Sequence, residues 1–176
     1  MRYPRKSKAE KKQASPNVKP AGKSIEERPE SINKRENLGN YEIDTLIQTR
    51  AKNECFLTLT DRKSRFQIIR LIPDKSATSG NHALKGILQN YHINSITADN
   101  WTEFSCLADV FDTECIYYAH PYASWERGTN ENHHRLMRRW LPKGTKKTAT
   151  RMVAFIENGI NNYPKKCLND LVPRQF

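Results

Sequence analysis

The chain has 176 residues, 36% of them hydrophobic, and a formal net charge of +11. Its length predicts one domain with tails, and its hydrophobic fraction suffices for a core. No apolar run approaches the roughly 20 residues of a membrane-spanning helix, and the basic N-terminus lacks the apolar stretch of a signal peptide. These features predict neither a membrane protein nor a secreted one. The charge favours a polyanionic partner, usually nucleic acid, with a merely basic soluble surface as the alternative.

Positive charge is concentrated toward both ends of the chain. Residues 1–40 hold 11 Lys and Arg against 5 acids, residues 135–176 hold 10 against 2, and residues 41–134 hold 9 against 12. Basic flanks around an acidic centre suit a protein that holds a phosphate backbone and collects divalent cations in its middle. The four cysteines have no zinc-site spacing, so we interpret them as reduced and structural in a cytosolic protein.

Residues 1–40 are predicted to be a basic, disordered arm or linker, because most of this segment has few large apolar side chains to bury. Residues 41–176 are predicted to form the folded domain. Five short runs rich in β-branched and aromatic residues predict strands within it. The runs are Tyr41–Gln48, Glu54–Thr60, Arg65–Ile72, Asn94–Asp99 and Cys115–Ala119.

The short polar connections between the first three strands predict that these strands form an antiparallel meander. Apolar residues at helical spacing predict helices at Lys75–Tyr91, around Glu131, and from Thr148 to about Asn162, with a short helix at 105–113. This order predicts an α/β fold with a mixed five-stranded sheet, in which two further strands join the meander and helices cover both faces.

Three carboxylates from separate elements are candidates for chemistry. Asp44 lies inside the first strand, Asp99 ends the fourth, and Glu131 is carried by the helix after the fifth. Three converging acids repel one another when ionised, and divalent cations remove that conflict. Two such ions about 3.5–4 Å apart can clamp a scissile phosphate.

Other interpretations of these acids stay open at this point. Asp44 is also compatible with the solvent face of an edge strand, and Glu131 with an ion pair inside its own helix. Other acids compete for the same role, namely Glu42, Glu103 and Glu126.

Three motifs, in this order, resemble those of the insertion-sequence-thirty family of bacterial transposases. They are YEID (41–44), TADNWTEF (97–104) and AHPYASWERGTNEN (119–132). The resemblance runs from about Glu26 to the C-terminus. It implies a ribonuclease-H-like fold of the retroviral-integrase type, in an N-terminally truncated copy of the family's chain.

The resemblance also implies the chemistry. It makes Asp44, Asp99 and Glu131 the catalytic, metal-binding triad, with two Mg²⁺ or Mn²⁺ ions as cofactors. The implied reaction is cleavage of DNA at element ends, followed by attack of a 3′-hydroxyl on target DNA. The implied partners are those two DNAs and further copies of the chain, with no membrane and no small-molecule substrate, in the bacterial cytoplasm at the nucleoid.

Basic residues near the triad are predicted to contact phosphates, with a solvated charged face as the alternative. They are Arg127, Arg135, Arg138, Lys143, Lys146 and Lys147. We interpret His133 and His134 as polar surface groups rather than metal ligands.

Several positions depart from the family pattern. Trp101 stands where the family has Gly, and 132–134 are Asn-His-His where the family commonly has Asn-x-Asn. Only a short basic arm precedes the domain. An alternative is therefore a catalytically impaired remnant that binds DNA without sequence preference. A general nuclease of the same fold and a basic structural protein are further alternatives.

Overall fold

A computed structural model describes residues 21–48, 54–99, 102–120, 123, 126, 128–142, 144–145 and 148–176, with the backbone alone at Thr102 and Glu131. Six strands form one sheet. They are β1 (Lys23–Ser24), β2 (Asn40–Ile47), β3 (Cys55–Asp61), β4 (Gln67–Ile72), β5 (Ser95–Ala98) and β6 (Ile116–Tyr118). The helices are α1 (Glu30–Asn33), α2 (Ala77–Leu88), α3 (Gly128–Trp140) and α4 (Thr150–Asn161).

The strands lie in the order β1-β6-β5-β2-β3-β4. β2, β3 and β4 pair antiparallel, as the predicted meander requires. β5 joins β2 in parallel, and β6 and β1 continue that parallel half. The predicted mixed α/β sheet is confirmed, except that it has six strands rather than five. A two-residue strand such as β1 is too short to show any sequence periodicity, and it forms because β6 offers a free edge.

The predicted short helix at 105–113 is wrong. Its described residues instead form one turn of 3-10 helix, Leu107–Asp109, with a second at Thr113–Cys115. Thr148, the predicted first residue of the last helix, lies before α4: Ala149 holds the N-cap position, and the Thr148 hydroxyl donates to the Gln48 side chain at 3.1 Å.

Part of the predicted arm contacts the sheet. Ile25 and Arg28 are buried, and Arg28 Nη1 donates to Thr97 Oγ1 at 3.1 Å. Two residues of the described part of this segment, Ile25 and Arg28, thus pack against the domain. Residues 1–20 lie outside the described residues, and the domain boundary drawn at residue 40 stays a prediction.

Alternation along the strands gives the sheet two apolar faces. On one face, Ile43, Leu57 and Ile96 pack in the core that Leu84 and Ile87 of α2 complete. On the other face, a second cluster joins the strands to α3 and α4. Its buried members are Leu46, Phe56, Ile69, Met137, Leu141, Val153, Ile156 and Ile160.

Helix α3 therefore rests on the face that carries the even-numbered residues of β2. No helix in the described part of the chain is both long and apolar enough to cross a membrane.

We predict that Phe56→Ala lowers the free energy of unfolding by about 3–5 kcal/mol, because it opens a cavity between the sheet and its two helices. Urea unfolding measures the loss. The matched control is Phe155→Ala, since Phe155 is 56% exposed. Similar losses for both variants would contradict the packing described above.

Candidate active site

Two of the three predicted carboxylates belong to neighbouring parts of the sheet. β2 and β5 are neighbouring parallel strands in which Glu42 is opposite Thr97. Two residues further along, the same register brings Asp44 level with Asp99, which directly follows β5. Because side chains two apart along a strand share a face of the sheet, Asp44 lies with Leu46 on the face that α3 covers, and Asp99 stands just beyond the end of the neighbouring strand. A separation of 55 positions in sequence is thus closed by strand pairing.

The Asp44 carboxylate is held in place and remains partly open to solvent. Its Oδ1 accepts the Thr45 backbone N–H at 2.8 Å, and its side chain is 22% exposed. β2 is flanked by β5 and β3, so the alternative that placed Asp44 on an edge strand is wrong. A partly exposed carboxylate inside a sheet is accessible to a ligand from the α3 side.

Helix α3 meets β2 at this point. His134 Nδ1 is 3.9 Å from Asp44 Oδ2, and its Nε2 is 3.3 Å from Thr58 Oγ1. Glu131 precedes His134 by three positions, and residues three apart are neighbours on a helix surface. The α3 backbone therefore brings position 131 to the neighbourhood of Asp44; the Glu131 side chain lies outside the described residues.

A buried ion pair fixes the N-terminus of α3. Glu42 is fully buried; its Oε1 is 2.5 Å from Arg62 Nη1, and its Oε2 accepts the Asn130 backbone N–H at 3.3 Å. A carboxylate is favourable there because the first N–H groups of a helix lack partners and carry partial positive charge.

Burial and the nearby charge of Arg62 lower the pKa of Arg28 to about 10.

The other competing acids are engaged elsewhere. Glu103 is buried between Lys75 Nζ at 2.5 Å and Thr45 Oγ1 at 2.6 Å. Glu126 accepts the backbone N–H of His120 at 2.9 Å and lies 2.8 Å from its Nδ1. With Glu42 paired to Arg62, each of these acids already has a cationic or donor partner.

His133 is not a surface group, which corrects the sequence interpretation. It is 3% exposed, its Nδ1 is 2.9 Å from the Thr129 carbonyl oxygen, and its Nε2 is 3.0 Å from that of Arg65. Burial lowers its pKa to about 4. Its spacing of four from the buried Met137 was the sequence signal for a core-facing position. His134, the second histidine, is half-buried beside Asp44 rather than on the open surface.

The predicted phosphate contacts separate into two sides of α3. Arg138 lies on the Asp44 side, where its Nη2 donates to the Ile47 carbonyl oxygen at 2.5 Å, and burial lowers its pKa. Arg135 is exposed and donates to Asn132 Oδ1 at 2.8 Å. The remaining predicted contacts lie outside the described residues, namely Arg127, Lys143, Lys146 and Lys147.

The carboxylate oxygens of Asp44 and Asp99 suit a hard divalent cation. The described side chains alone do not supply a complete set of ligands for one. Among these residues no cluster of three or more His, Cys, Asp or Glu side chains is positioned to hold a metal ion. The two aspartates supply carboxylate oxygens, the ligand type that Mg²⁺ and Mn²⁺ prefer. A third oxygen ligand is needed from α3, where position 131 is the predicted source.

Comparison with known proteins shows which other chains are similar to this one in sequence and in structure. No protein-family model matches the chain. Over 148 residues it is 40% identical to the probable transposase of the insertion-like element IS1161 from Streptococcus salivarius, covering 82% of this chain and 43% of that one. It is 36% identical over 162 residues to the IS4351 transposase of Bacteroides fragilis, covering 89% and 49%. The Escherichia coli transposase InsI of IS30C is 33% identical over 162 residues, covering 88% and 42%.

Most of this chain is similar in sequence to IS30-type transposases. The chain spans less than half the length of these transposase relatives. Its structure matches the catalytic core domain of BIV integrase with a TM-score of 0.62 at 15% identity, covering 78% of this chain and 91% of that one. The ribonuclease-H-like fold expected from the motifs of the IS30-type transposases is therefore confirmed.

We predict that Glu42→Leu lowers the free energy of unfolding by about 3–5 kcal/mol, since it leaves Arg62 buried without its anion. Urea unfolding measures the change. Glu30→Gln is the control, because it breaks an exposed pair with Lys34 and should change stability little. An equal, small effect of both changes would show that Glu42 does not hold α3.

Proposed function

We propose that this chain is the catalytic core of a DNA transposase that cleaves DNA and transfers a strand with the help of divalent metal ions. The observation that supports the proposal is the parallel pairing of β2 with β5, because Asp44 lies in β2 and Asp99 directly follows β5, while the helix that bears Glu131 packs against β2. The relatives' names support it, because the most similar ones are transposases.

Asp44, Asp99 and Glu131 would hold the divalent ions, which we take to be two Mg²⁺ or Mn²⁺. When bound, such ions activate the attacking oxygen and stabilise the leaving oxygen of a phosphodiester. The chain's own part is to orient these ligands. The Thr45 N–H fixes one oxygen of Asp44, and the Glu42–Arg62 pair fixes the start of α3. The nucleophile is water in cleavage and a DNA 3′-hydroxyl in strand transfer, with no covalent protein–DNA intermediate.

The basic residues hold the DNA in this proposal. Arg138 extends from α3 to the end of β2, next to the aspartates, where a phosphate beside the scissile one would lie. The other predicted contacts are Arg127, Arg135, Lys143, Lys146 and Lys147. The partners are the element ends and the target DNA. Joining both ends to one target calls for more than one active site, so a homo-oligomer, located at the bacterial nucleoid, is part of the proposal.

A second candidate is a remnant that binds DNA without cutting it. The observation in its favour is His134, which lies 3.9 Å from Asp44 Oδ2 where the motif of the resembling family has Asn. An imidazolium there would compete with a metal ion for Asp44. Trp101, the other departure from the motif, lies outside the described residues.

The decisive test is Mn²⁺-dependent nicking of supercoiled DNA. We expect the native chain to nick, and Asp44→Asn and Asp99→Asn each to abolish nicking, because an amide is a poorer metal ligand than a carboxylate. Asp109→Asn, at an exposed aspartate outside the three motifs, should retain it. Nicking unchanged in both site variants would contradict the assignment.

Other outcomes select among the alternatives. No nicking by the native chain, with nicking by Trp101→Gly or His134→Asn, favours the remnant. Random nicks with no joined strands indicate a general nuclease. Absence of any Mn²⁺ binding by calorimetry at millimolar concentration favours a basic structural protein.

A further inference from the structure

A large basic cavity lies on the side of α3 away from Asp44. Its volume is about 960 Å³, and it is bounded by α3 and by the segment that follows α4, including Tyr163 and Lys165. Six basic residues line it, namely Arg35, Arg65, Arg135, Arg139, Lys165 and Lys166. Asp170 is the acid among the lining residues. This site is distinct from the carboxylate edge.

Within the part of the chain that the structure describes, these cations form no close ion pair with a carboxylate. None of the six forms a salt bridge with a described carboxylate. Burial and the charge of Arg65 lower the pKa of Lys165. Burial and the charges of Arg65 and Arg62 lower the pKa of Arg35. Positive groups are therefore crowded together, and an anion in the cavity would relieve their repulsion.

Hydrogen bonds between separate segments of the chain hold the wall of the cavity in place. Arg65 adopts a left-handed backbone conformation, with φ of 62°, and its Nη1 donates to Thr129 Oγ1 at 2.9 Å. Its carbonyl oxygen lies 3.0 Å from Nε2 of the buried His133. A non-glycine residue at positive φ costs free energy, and here the surrounding hydrogen bonds hold it. The turn before β4 and the first turns of α3 are thus fastened to each other at the cavity wall.

We propose that this cavity is a second DNA-backbone site, in which phosphates bind to the cations on the far side of α3 from the aspartates. The inference rests on the proposed function in taking DNA as the polyanion. Six cations spread along an open cavity match a chain of phosphates better than one small anion. An α-helix with its side chains is about 10–12 Å across, so a duplex lying over α3 can reach both sides.

The first test measures DNA binding in EDTA, so that metal-dependent chemistry plays no part. We expect Arg139→Gln combined with Lys166→Gln to reduce the slope of log Kobs against log salt by about 2, because each neutralised phosphate contributes about 0.9 to that slope. The matched control is Arg151→Gln with Arg174→Gln, which removes the same charge from exposed arginines outside the cavity. Equal slopes for the two double variants would overturn the proposal.

The second test uses the chain's own thiols. Cys167 lines the cavity and is exposed, whereas Cys106 is exposed near the first turn of α2, on the other face of the sheet. We expect DNA to slow iodoacetamide alkylation of Cys167 severalfold, as followed by peptide mass spectrometry. The slowing should disappear in the Arg139→Gln, Lys166→Gln variant, with Cys106 as the reagent control. No slowing at Cys167, or slowing that persists in the variant, would overturn the proposal.

A small-anion site is distinguished in the same assay. If inorganic phosphate at the same total phosphate concentration protects Cys167 as well as DNA does, the cavity binds free phosphate and the proposal fails. Failure of the proposed function looks different. In that case the native chain does not nick DNA with Mn²⁺, while the slope and the protection of Cys167 still depend on Arg139 and Lys166.

Discussion

The structure depends on a buried carboxylate at the start of one helix. Glu42, in the middle of the sheet, binds Arg62 with one oxygen and the Asn130 backbone N–H with the other. Burying an ion pair costs desolvation energy, so it adds little net stability compared with an apolar contact. Removing only one of the two partners is costly, because it leaves the other charge buried without a counter-ion. The geometry of the pair is also specific. The pair therefore fixes where α3 begins, and with it the position of every residue on that helix relative to β2.

Helix α3 divides two charged environments. On one side it rests against β2, where His134 and Arg138 meet Asp44 and the end of the strand. On the other side Arg135 and Arg139 join the basic cavity. The apolar contact of Met137 and Leu141 with the sheet lies between them. Asp44 and the cations of the cavity thus lie on different sides of one helix.

The misjudged positions have a common cause. His133, interpreted from the sequence as a surface group, and Glu42, left open there as a competing acid, are polar residues in segments that the sequence describes only by period and composition. Their partners are a carbonyl from the turn before β4 and an arginine after β3, which no local pattern identifies. The described part of the basic arm behaves likewise, because Arg28 is drawn into the sheet by Thr97, 69 positions away. In each case a hydrogen bond between distant segments outweighs a local preference for solvent.

The sequence by itself determined the order of the main strands and helices along the chain, the antiparallel meander, the helix that carries Glu131 and the choice of Asp44 and Asp99 as candidate acids. These follow from short-range periodicity and from motifs that are contiguous in the chain. Only the tertiary structure decided that the strand bearing Asp44 pairs with the strand that Asp99 follows, that Glu42, Glu103 and Glu126 are engaged with other partners, and that six bases from four segments line one cavity. The reason is physical: which charges meet is settled by strand register and helix packing over separations of tens of residues, where sequence spacing carries no information.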